Sequence, residues 1–248
     1  MTGQVPPRLS LRGVRKSYWR GEREIPVLDD VSLDLHAGEV VAVWGMRRSG
    51  KSTLLRVAAG LEAPDRGAVL LDGRDLAGTR RARRPQRGRV AWISGTEHDG
   101  VNRKTVMEHI LRPLLAGRSS GDALRLANGI LEQLDLIGHR RARWESLSDG
   151  ERTLVALARA LASEPAAIVA DDLTIDLGVI EGERVYALLR EAAREQGLCV
   201  LSMTSEMADA AGASYIAALS DGRVIVPGAP PDQRGAVVDF LSARQQSA

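Results

Sequence analysis

The chain has 248 residues, of which 44% are hydrophobic and only 3% aromatic, and its formal net charge is +2. This composition suits one large globular domain, or a core with a subdomain, whose interior is built from aliphatic side chains. The near-neutral charge argues against a nucleic-acid-binding protein, and no apolar run approaches the roughly 18 residues that a membrane span needs.

The N-terminal sequence MTGQVPPRLSLRGVRKS lacks the apolar segment of a secretory signal. The single cysteine, Cys199, lies in the apolar, strand-like run GLCVLSMT. Because a reactive thiol needs a polar and partly exposed setting, we expect Cys199 to occupy the core of a protein from a reducing cytoplasm.

Strands dominate the first 76 residues. The segments LSLRGVRKSYW, IPVLDDVSLDL and EVVAVW within residues 8–44 predict three strands, with turns at Gly21 and Ala37–Gly38. A helix is predicted from the end of the next loop to about Ala59. GAVLLDGRDL then predicts a hairpin, because Asp72–Gly73 is a pair typical of tight turns.

Helical periodicity dominates the middle of the chain. After an arginine-rich connector at 80–89 and a strand RVAWIS, the segments TVMEHILRPLLAG and DALRLANGILEQLDLIG each carry an apolar stripe that ends at glycine. SLSDGERTLVALARALASEP predicts a loop that leads into a helix closed by Glu164–Pro165. The mostly helical stretch at about 95–150 is therefore predicted to be an inserted subdomain.

Strands and helices alternate in the last third. AAIVADD predicts a short buried strand, followed by a helix at 181–196, a strand at 198–204 and a helix from about Ser205. The strands YIAAL and RVIV flank a turn at Asp221–Gly222, and a final helix is predicted over about 232–242 in the C-terminal tail. This alternation predicts an α/β fold with a mostly parallel, helix-covered sheet and antiparallel β hairpins near the N-terminus.

A phosphate-binding loop is predicted between the third strand and the first helix. The pattern G-x-x-x-x-G-K-[ST] occurs in Gly45–Thr53, and the strand–loop–helix context supports the motif over a chance match. The candidate nucleotide-binding residues in this loop are Gly45, Arg48, Ser49, Gly50, Lys51, Ser52 and Thr53. Lys51 can reach the β- and γ-phosphates, the Ser52 hydroxyl can bind Mg²⁺, and the helix N-terminus favours an anion.

Two carboxylates complete the predicted nucleotide site. Asp171 and Asp172 end the strand AAIVADD. A carboxylate at the C-terminal end of a central parallel strand lies beside the phosphate loop in folds of this class. Asp171 is therefore predicted to hold Mg²⁺, either directly or through water.

The order and spacing of these motifs, with LSDGE between them, resemble the ATP-binding subunits of ABC transporters. LSDGE, residues 147–151, is similar to that family's signature, which is usually Leu-Ser-Gly-Gly-Gln or Glu. The resemblance runs from about residue 8 to 228. REIPVLDDVSLDLHAGEVVAVWG, TVMEHILRPLLAG and ASYIAALSDGRVI are most similar to the branch that serves lipoprotein release, macrolide export and related permeases.

The resemblance implies a single ATP-binding domain over residues 1–248, with a P-loop NTPase core, an antiparallel β subdomain and a helical subdomain that carries the signature. It implies ATP and Mg²⁺ as cofactors, and a transmembrane permease and a second cassette as partners, with no nucleic acid. The chain would be cytoplasmic and peripheral to the inner face of the cell membrane. Tyr18 falls where the family stacks an aromatic ring on adenine, although an ordinary edge-strand tyrosine is the alternative. Ser148, Gly150 and Glu151 would contact the partner's nucleotide.

Several catalytic positions of the family are changed. The glutamate that orients or deprotonates the attacking water is replaced by Asp172, whose side chain is one methylene shorter. A misplacement of about 1 Å can cost on the order of 10²-fold in rate. The family histidine near the γ-phosphate corresponds to Ser205 and the glutamine before the helical insert to Gly95, for which Glu97 or His98 is an alternative substitute.

Other changes affect binding and pairing. Arg48 replaces a glycine of the phosphate loop, so it must strain or reshape the turn. Phosphate contact, outward solvation and obstruction stay open for its side chain, whereas Arg47 is expected to be solvated. Gly178 replaces an aspartate that helps to link two cassettes. Asp149 is the one departure in the signature, and it must point away from the phosphate or lower affinity.

Three functional hypotheses follow. The first is a transport ATPase subunit whose own site hydrolyses slowly or not at all, and the second is a regulatory or structural cassette without transport turnover. The third is a relative that acts on nucleic acid, suggested by RRARRPQRGR at 80–89, a short run without interleaved aromatic residues. For the first, we expect a heterodimer in which this signature completes the partner's site, with a homodimer as the alternative.

Overall fold

The computed structural model describes residues 6–76, 89–94, 104–174, 177–204 and 212–226. In these ranges the strands are β1 Leu9–Arg20, β2 Arg23–Leu35, β3 Val40–Gly45, β4 Arg66–Leu71, β5 Arg74–Asp75, β6 Val90–Ser94, β7 Ala167–Asp171, β8 Cys199–Thr204, β9 Tyr215–Ser220 and β10 Arg223–Ile225. The helices are α1 Lys51–Ala58, α2 Val106–Leu114, α3 Ser120–Gln133, α4 Asp149–Ala162 and α5 Val179–Gln196. Two 3₁₀ turns, Ile137–His139 and Trp144–Ser146, precede α4.

The described strands form two sheets. The larger has six strands in the order β10-β9-β3-β8-β7-β6, and all of its neighbouring pairs are parallel except β9 with β10. The smaller has the order β2-β1-β4-β5 and is antiparallel throughout. The α/β fold with a mostly parallel sheet and an antiparallel β subdomain is therefore confirmed.

The large sheet has a hydrophobic cluster on each face, because side chains alternate along its buried strands. On β3, Val40 packs with α2 to α5 on one face, whereas Val41 and Val43 pack with α1 and the antiparallel sheet on the other. Strands that are buried on both faces read as continuous apolar runs. This burial explains why VVAVW and AIVA predict strands without an alternating pattern.

The predicted strands and helices within the described ranges are confirmed, with small shifts of their ends. The Asp72–Gly73 turn of the β4–β5 hairpin has positive φ at both residues, as its sequence predicts. Cys199 is fully buried, and burial raises the pKa of its thiol to about 12. Most of the 80–89 connector and the helices predicted from Ser205 and over 232–242 lie outside the described residues. The division into subdomains stays a prediction.

Two glycines of the phosphate loop lie too close to neighbouring atoms to carry a side chain, and one other residue of the loop has a strained backbone. Gly50 has a φ of 102°, and a Cβ atom there would lie 2.9 Å from the Val27 carbonyl oxygen. A Cβ atom on Gly45 would lie 2.7 Å from Ser49 Oγ. Arg48 has a φ of 68°, which costs a residue with a side chain roughly 1–2 kcal/mol. The arginine therefore strains the turn instead of reshaping it.

We expect Arg48→Gly to raise the free energy of unfolding by about 1 kcal/mol, because glycine adopts this φ without strain. Arg48→Ala is the matched control: it removes the same guanidinium but keeps Cβ, so its unfolding free energy should stay within about 0.5 kcal/mol of the parent. Urea denaturation of the three proteins makes the comparison. Equal stabilities of the glycine and alanine variants would contradict the strain argument.

Candidate functional site

Lys51 lies at the centre of the phosphate loop, in the first turn of α1. Its Nζ donates hydrogen bonds to the carbonyl oxygens of Gly45, at 2.6 Å, and Met46, at 2.9 Å. Burial lowers the pKa of Lys51, and the charges of Asp172 and Asp171 oppose this shift. The ammonium group is therefore bound by the loop carbonyls and influenced by the charges of Asp171 and Asp172.

Ser52 and Asp171 are brought together by the start of α1 and the end of β7. Their side chains form a hydrogen bond, and burial raises the pKa of Asp171 in spite of that bond and the nearby charges of Lys51 and Arg56. Within the described ranges, no group of three or more His, Cys, Asp and Glu side chains could hold a metal ion. A hydroxyl and one carboxylate suit Mg²⁺, which usually keeps several waters and uses substrate phosphates as further ligands.

Asp172 follows Asp171 in a left-handed turn. Its φ is 46°, and its backbone N–H donates to the Met203 carbonyl oxygen at 3.1 Å. Among the charges that act on Lys51, that of Asp172 raises the lysine pKa most. The aspartate thus lies next to the phosphate loop. Ser205 and Gly95, the other two changed positions, lie outside the described residues.

Tyr18 is half-buried and linked to α1 through its hydroxyl. The hydroxyl donates to Glu62 Oε2 at 2.8 Å and lies 3.4 Å from Thr53 Oγ1. These contacts place the Tyr18 hydroxyl beside the first turn of α1, and the stacking of its ring on adenine stays a prediction. Glu62 and Arg56, which also bonds to this hydroxyl, were not among the residues predicted from the sequence. No local sequence pattern indicates these contacts, because Glu62 and Arg56 lie 44 and 38 positions from Tyr18 in the chain.

The two arginines of the phosphate loop have exposed side chains. Arg47 and Arg48 line a cavity of about 490 Å³ between the loop, β2 and the β9–β10 turn. Ser49 also lines this cavity, and its Oγ is buried without a hydrogen-bond partner. The solvation expected for Arg47 is therefore consistent with its exposure. The Arg48 side chain is exposed in the same way.

The signature forms the N-terminus of α4. Ser148 is the N-cap: its Oγ accepts from the Glu151 N–H at 3.3 Å, and Glu151 Oε2 accepts from the Ser148 N–H at 2.7 Å. His139 Nδ1 lies 2.6 Å from Glu151 Oε1. Glu151, predicted as a nucleotide contact, thus has its carboxylate engaged in a capping box. The pattern Ser-x-x-Glu is the sequence signal for this role.

Two further signature residues, Asp149 and Gly150, lie close to charged side chains. Asp149 Oδ1 accepts from Arg152 Nη1 at 2.9 Å, so its charge is paired along the helix surface. A Cβ atom on Gly150 would lie 3.6 Å from the Glu181 carboxylate oxygens at the start of α5. The N-terminus of α4 therefore has acidic side chains nearby, which any bound phosphate has to tolerate.

The residue just before α5 is glycine, where the resembled family has an aspartate. Gly178 is the N-cap residue and provides no side-chain hydrogen bond to the helix. An aspartate is among the preferred residues for that task, so its replacement also removes a helix cap. The next two residues, Val179 and Ile180, are 65% and 84% exposed. An apolar pair thus projects from the chain directly after the carboxylate strand and its loop.

Comparison with known proteins gives one consistent family. The family described as "ABC transporter" matches residues 28–175. The lipoprotein-releasing system ATP-binding protein LolD of Pseudomonas syringae pv. tomato is 36% identical over 220 residues, which cover 88% of this chain and 96% of LolD. The methionine import ATP-binding protein MetN of Rhizobium etli is 35% identical over 206 residues, and the match covers 82% of this chain but only 57% of MetN.

Solved structures agree with the sequence comparison. The dimeric ATP-binding cassette MJ0796, in a post-hydrolysis state bound to ADP and Pi, has a TM-score of 0.77 and 29% identity. The match covers 87% of this chain and 96% of that cassette. No helix in the described ranges is both long and apolar enough to cross a bilayer. From these matches and the geometry of its phosphate loop, the chain belongs to the ABC transporter family and is one of its ATP-binding cassettes.

Proposed function

We propose that this chain binds Mg²⁺–ATP at its phosphate loop and couples the pairing of two cassettes to a membrane permease at the cytoplasmic face of the membrane. The observation that carries the proposal is the meeting of Lys51, Ser52 and Asp171 at one edge of the sheet. The names of the LolD and MetN relatives support a transport role.

The residues of the site have separate tasks in this proposal. Lys51 exchanges its loop carbonyl partners for phosphate oxygens, and the backbone N–H groups at the start of α1 bind the same anion. Ser52 and Asp171 hold Mg²⁺, which neutralises phosphate charge when it is bound. Tyr18 stacks on the adenine ring. Their combined effect is to orient the nucleotide and to order its phosphates.

We propose further that the chain's own site hydrolyses ATP slowly. Asp172 is shorter than the family glutamate, and its charge raises the pKa of Lys51 against the effect of burial. Ser205 cannot carry the positive charge of the family histidine, and Gly95 has no side chain to contact Mg²⁺ or water. These three changes all weaken the placement of the attacking water.

The signature is better preserved than the site of hydrolysis. Ser148 and the Gly150 backbone lie at a helix N-terminus, where an anion is stabilised. The proposed working complex is therefore a heterodimer in which this signature completes a competent site on a different cassette. A regulatory cassette without transport turnover is the second candidate, and the weakened catalytic positions favour it.

Lys51→Ala should weaken the binding of a fluorescent ATP analogue by roughly 10–100-fold. This range corresponds to the loss of charged hydrogen bonds worth about 1.5–3 kcal/mol. Equilibrium titration in the presence of Mg²⁺ measures the change. Lys104→Ala is the control, because it removes a lysine outside the loop and should bind as the parent does. Equal affinities for all three proteins would remove the proposed binding site.

The isolated chain should turn over ATP far below the ~10 s⁻¹ that is typical of enzymes. The double variant Asp172→Glu/Ser205→His should raise the rate on the order of 10²-fold, because it restores a longer base and a positive charge. A coupled phosphate-release assay measures both. Asp172→Asn is the control, since asparagine tolerates the same backbone. A parent rate near ~10 s⁻¹ that Asp172→Asn abolishes would show that Asp172 is already a competent base.

In the assembled membrane complex, Ser148→Arg in this chain should abolish ATP turnover, whereas Lys51→Ala should leave much of it. The arginine would remove the cap of α4 and fill the space for the partner's phosphate, but Lys51 serves only the weak site. Turnover of the purified complex, with every co-purifying subunit identified, measures the ranking. The opposite ranking, or a native complex that contains only this cassette, would contradict the asymmetric arrangement.

A further inference from the structure

A network of charged side chains surrounds the Tyr18 hydroxyl. Tyr18 donates to Glu62 Oε2 at 2.8 Å, and Arg56 Nε lies 3.3 Å from the same oxygen. Arg56 Nη2 lies 3.4 Å from both the Tyr18 hydroxyl and Thr53 Oγ1. One carboxylate and one guanidinium therefore connect a strand residue with the first turns of α1.

Lys16 completes the network on one face of the tyrosine ring. Its Nζ lies 5.7 Å from the ring centroid, 3.4 Å from Glu62 Oε1 and 3.0 Å from Asp65 Oδ1. A cation at this distance is attracted to the face of an aromatic ring. Asp65 in turn accepts from the Ser17 N–H at 2.7 Å, which anchors β1 next to Tyr18. The ring is therefore restrained at its hydroxyl and by a charge near one face.

Glu62 is the common partner in this network. Although burial opposes the shift, the bonds from Tyr18, Arg56 and Lys16 hold the pKa of Glu62 below its usual value, so it stays ionised. Burial raises the pKa of Asp171, and the charge of Arg56 is one of the effects that oppose this rise. Arg56 thus contacts the Tyr18 hydroxyl, and its charge acts on Asp171. Glu62 contacts the Tyr18 hydroxyl, Arg56 and Lys16.

We infer that Glu62 is a positioning residue for the nucleotide base, which it orients through the Tyr18 hydroxyl. The inference rests on the proposed binding of Mg²⁺–ATP beside Tyr18. A ring that is already fixed loses little side-chain freedom when a base stacks on it, so the restraint strengthens binding of the base. The triphosphate does not touch the ring, and its own binding should not depend on Glu62.

The test compares two probes on the full-length chain: ATP, and inorganic tripolyphosphate, which has the phosphates without a base. Isothermal titration with Mg²⁺ is carried out on the parent, Tyr18→Phe, Glu62→Ala and the double variant. Tyr18→Phe keeps the ring and removes only the hydroxyl. Glu164→Ala is the matched control, because it removes a surface glutamate that pairs with Arg118 far from Tyr18 along the chain. Thermal unfolding of each protein verifies that it is folded.

Each single variant should lose roughly fivefold in ATP affinity, as expected for one hydrogen bond. The double variant should lose no more than either single variant, because both changes break the same link. Affinity for tripolyphosphate should be unchanged throughout, and Glu164→Ala should bind both probes as the parent does.

Several results would overturn the inference. Unchanged ATP affinity in Glu62→Ala, additive losses in the double variant, or equal losses for both probes would each show that Glu62 does not act through the ring. In all three cases a parent that binds ATP leaves the proposed function intact. A parent that binds neither probe would instead overturn the proposed function, and the inference with it.

Discussion

The parallel pairing of β3, β8 and β7 is the constraint on which the candidate site depends. Trp44 is in register with Thr204, and Asp171 is in register with Met203, so the three strands end at one edge of the sheet. The phosphate loop leaves β3 at this edge, and the carboxylates leave β7 beside it. Because all three strands are buried on both faces, neither their order nor their register can change without loss of the core.

Two ionisable side chains at this edge of the sheet, Lys51 and Asp171, are buried at a cost to their charged forms. Lys51 and Asp171 are shifted by burial in opposite directions, and each shift disfavours the charged form. Their mutual attraction only partly offsets that cost. In the proposed complex with Mg²⁺–ATP, the metal ion would supply a cation for the carboxylate and the phosphates an anion for the ammonium. The burial that disfavours these two charges is therefore consistent with the proposed binding of Mg²⁺–ATP between them.

In the signature, the structural task of Ser148 is compatible with the nucleotide contact that is proposed for it. The Ser148 hydroxyl caps α4, and the Glu151 carboxylate in the first turn accepts a hydrogen bond from the Ser148 backbone N–H. A hydroxyl that accepts one hydrogen bond from the helix can still donate its own hydrogen elsewhere, and its present acceptor is Glu151 Oε2 at 2.9 Å. Pairing with a phosphate on another cassette would therefore need only a rotation of that hydroxyl, with the cap retained.

The sequence by itself determined the elements, the phosphate loop, the strand-end carboxylates and the family, because turn residues, apolar runs and motif spacing are local properties. It also anticipated strain at Arg48, since only glycine accepts that backbone freely. Only the tertiary structure decided which residues far apart in the chain meet. Glu62 accepts a hydrogen bond from Tyr18, which lies 44 positions away in the chain, and the charge of Arg56 beside this pair also acts on Asp171. No local pattern encodes such contacts. The fold alone brings them together, because the antiparallel sheet packs against α1 over the face of the parallel one.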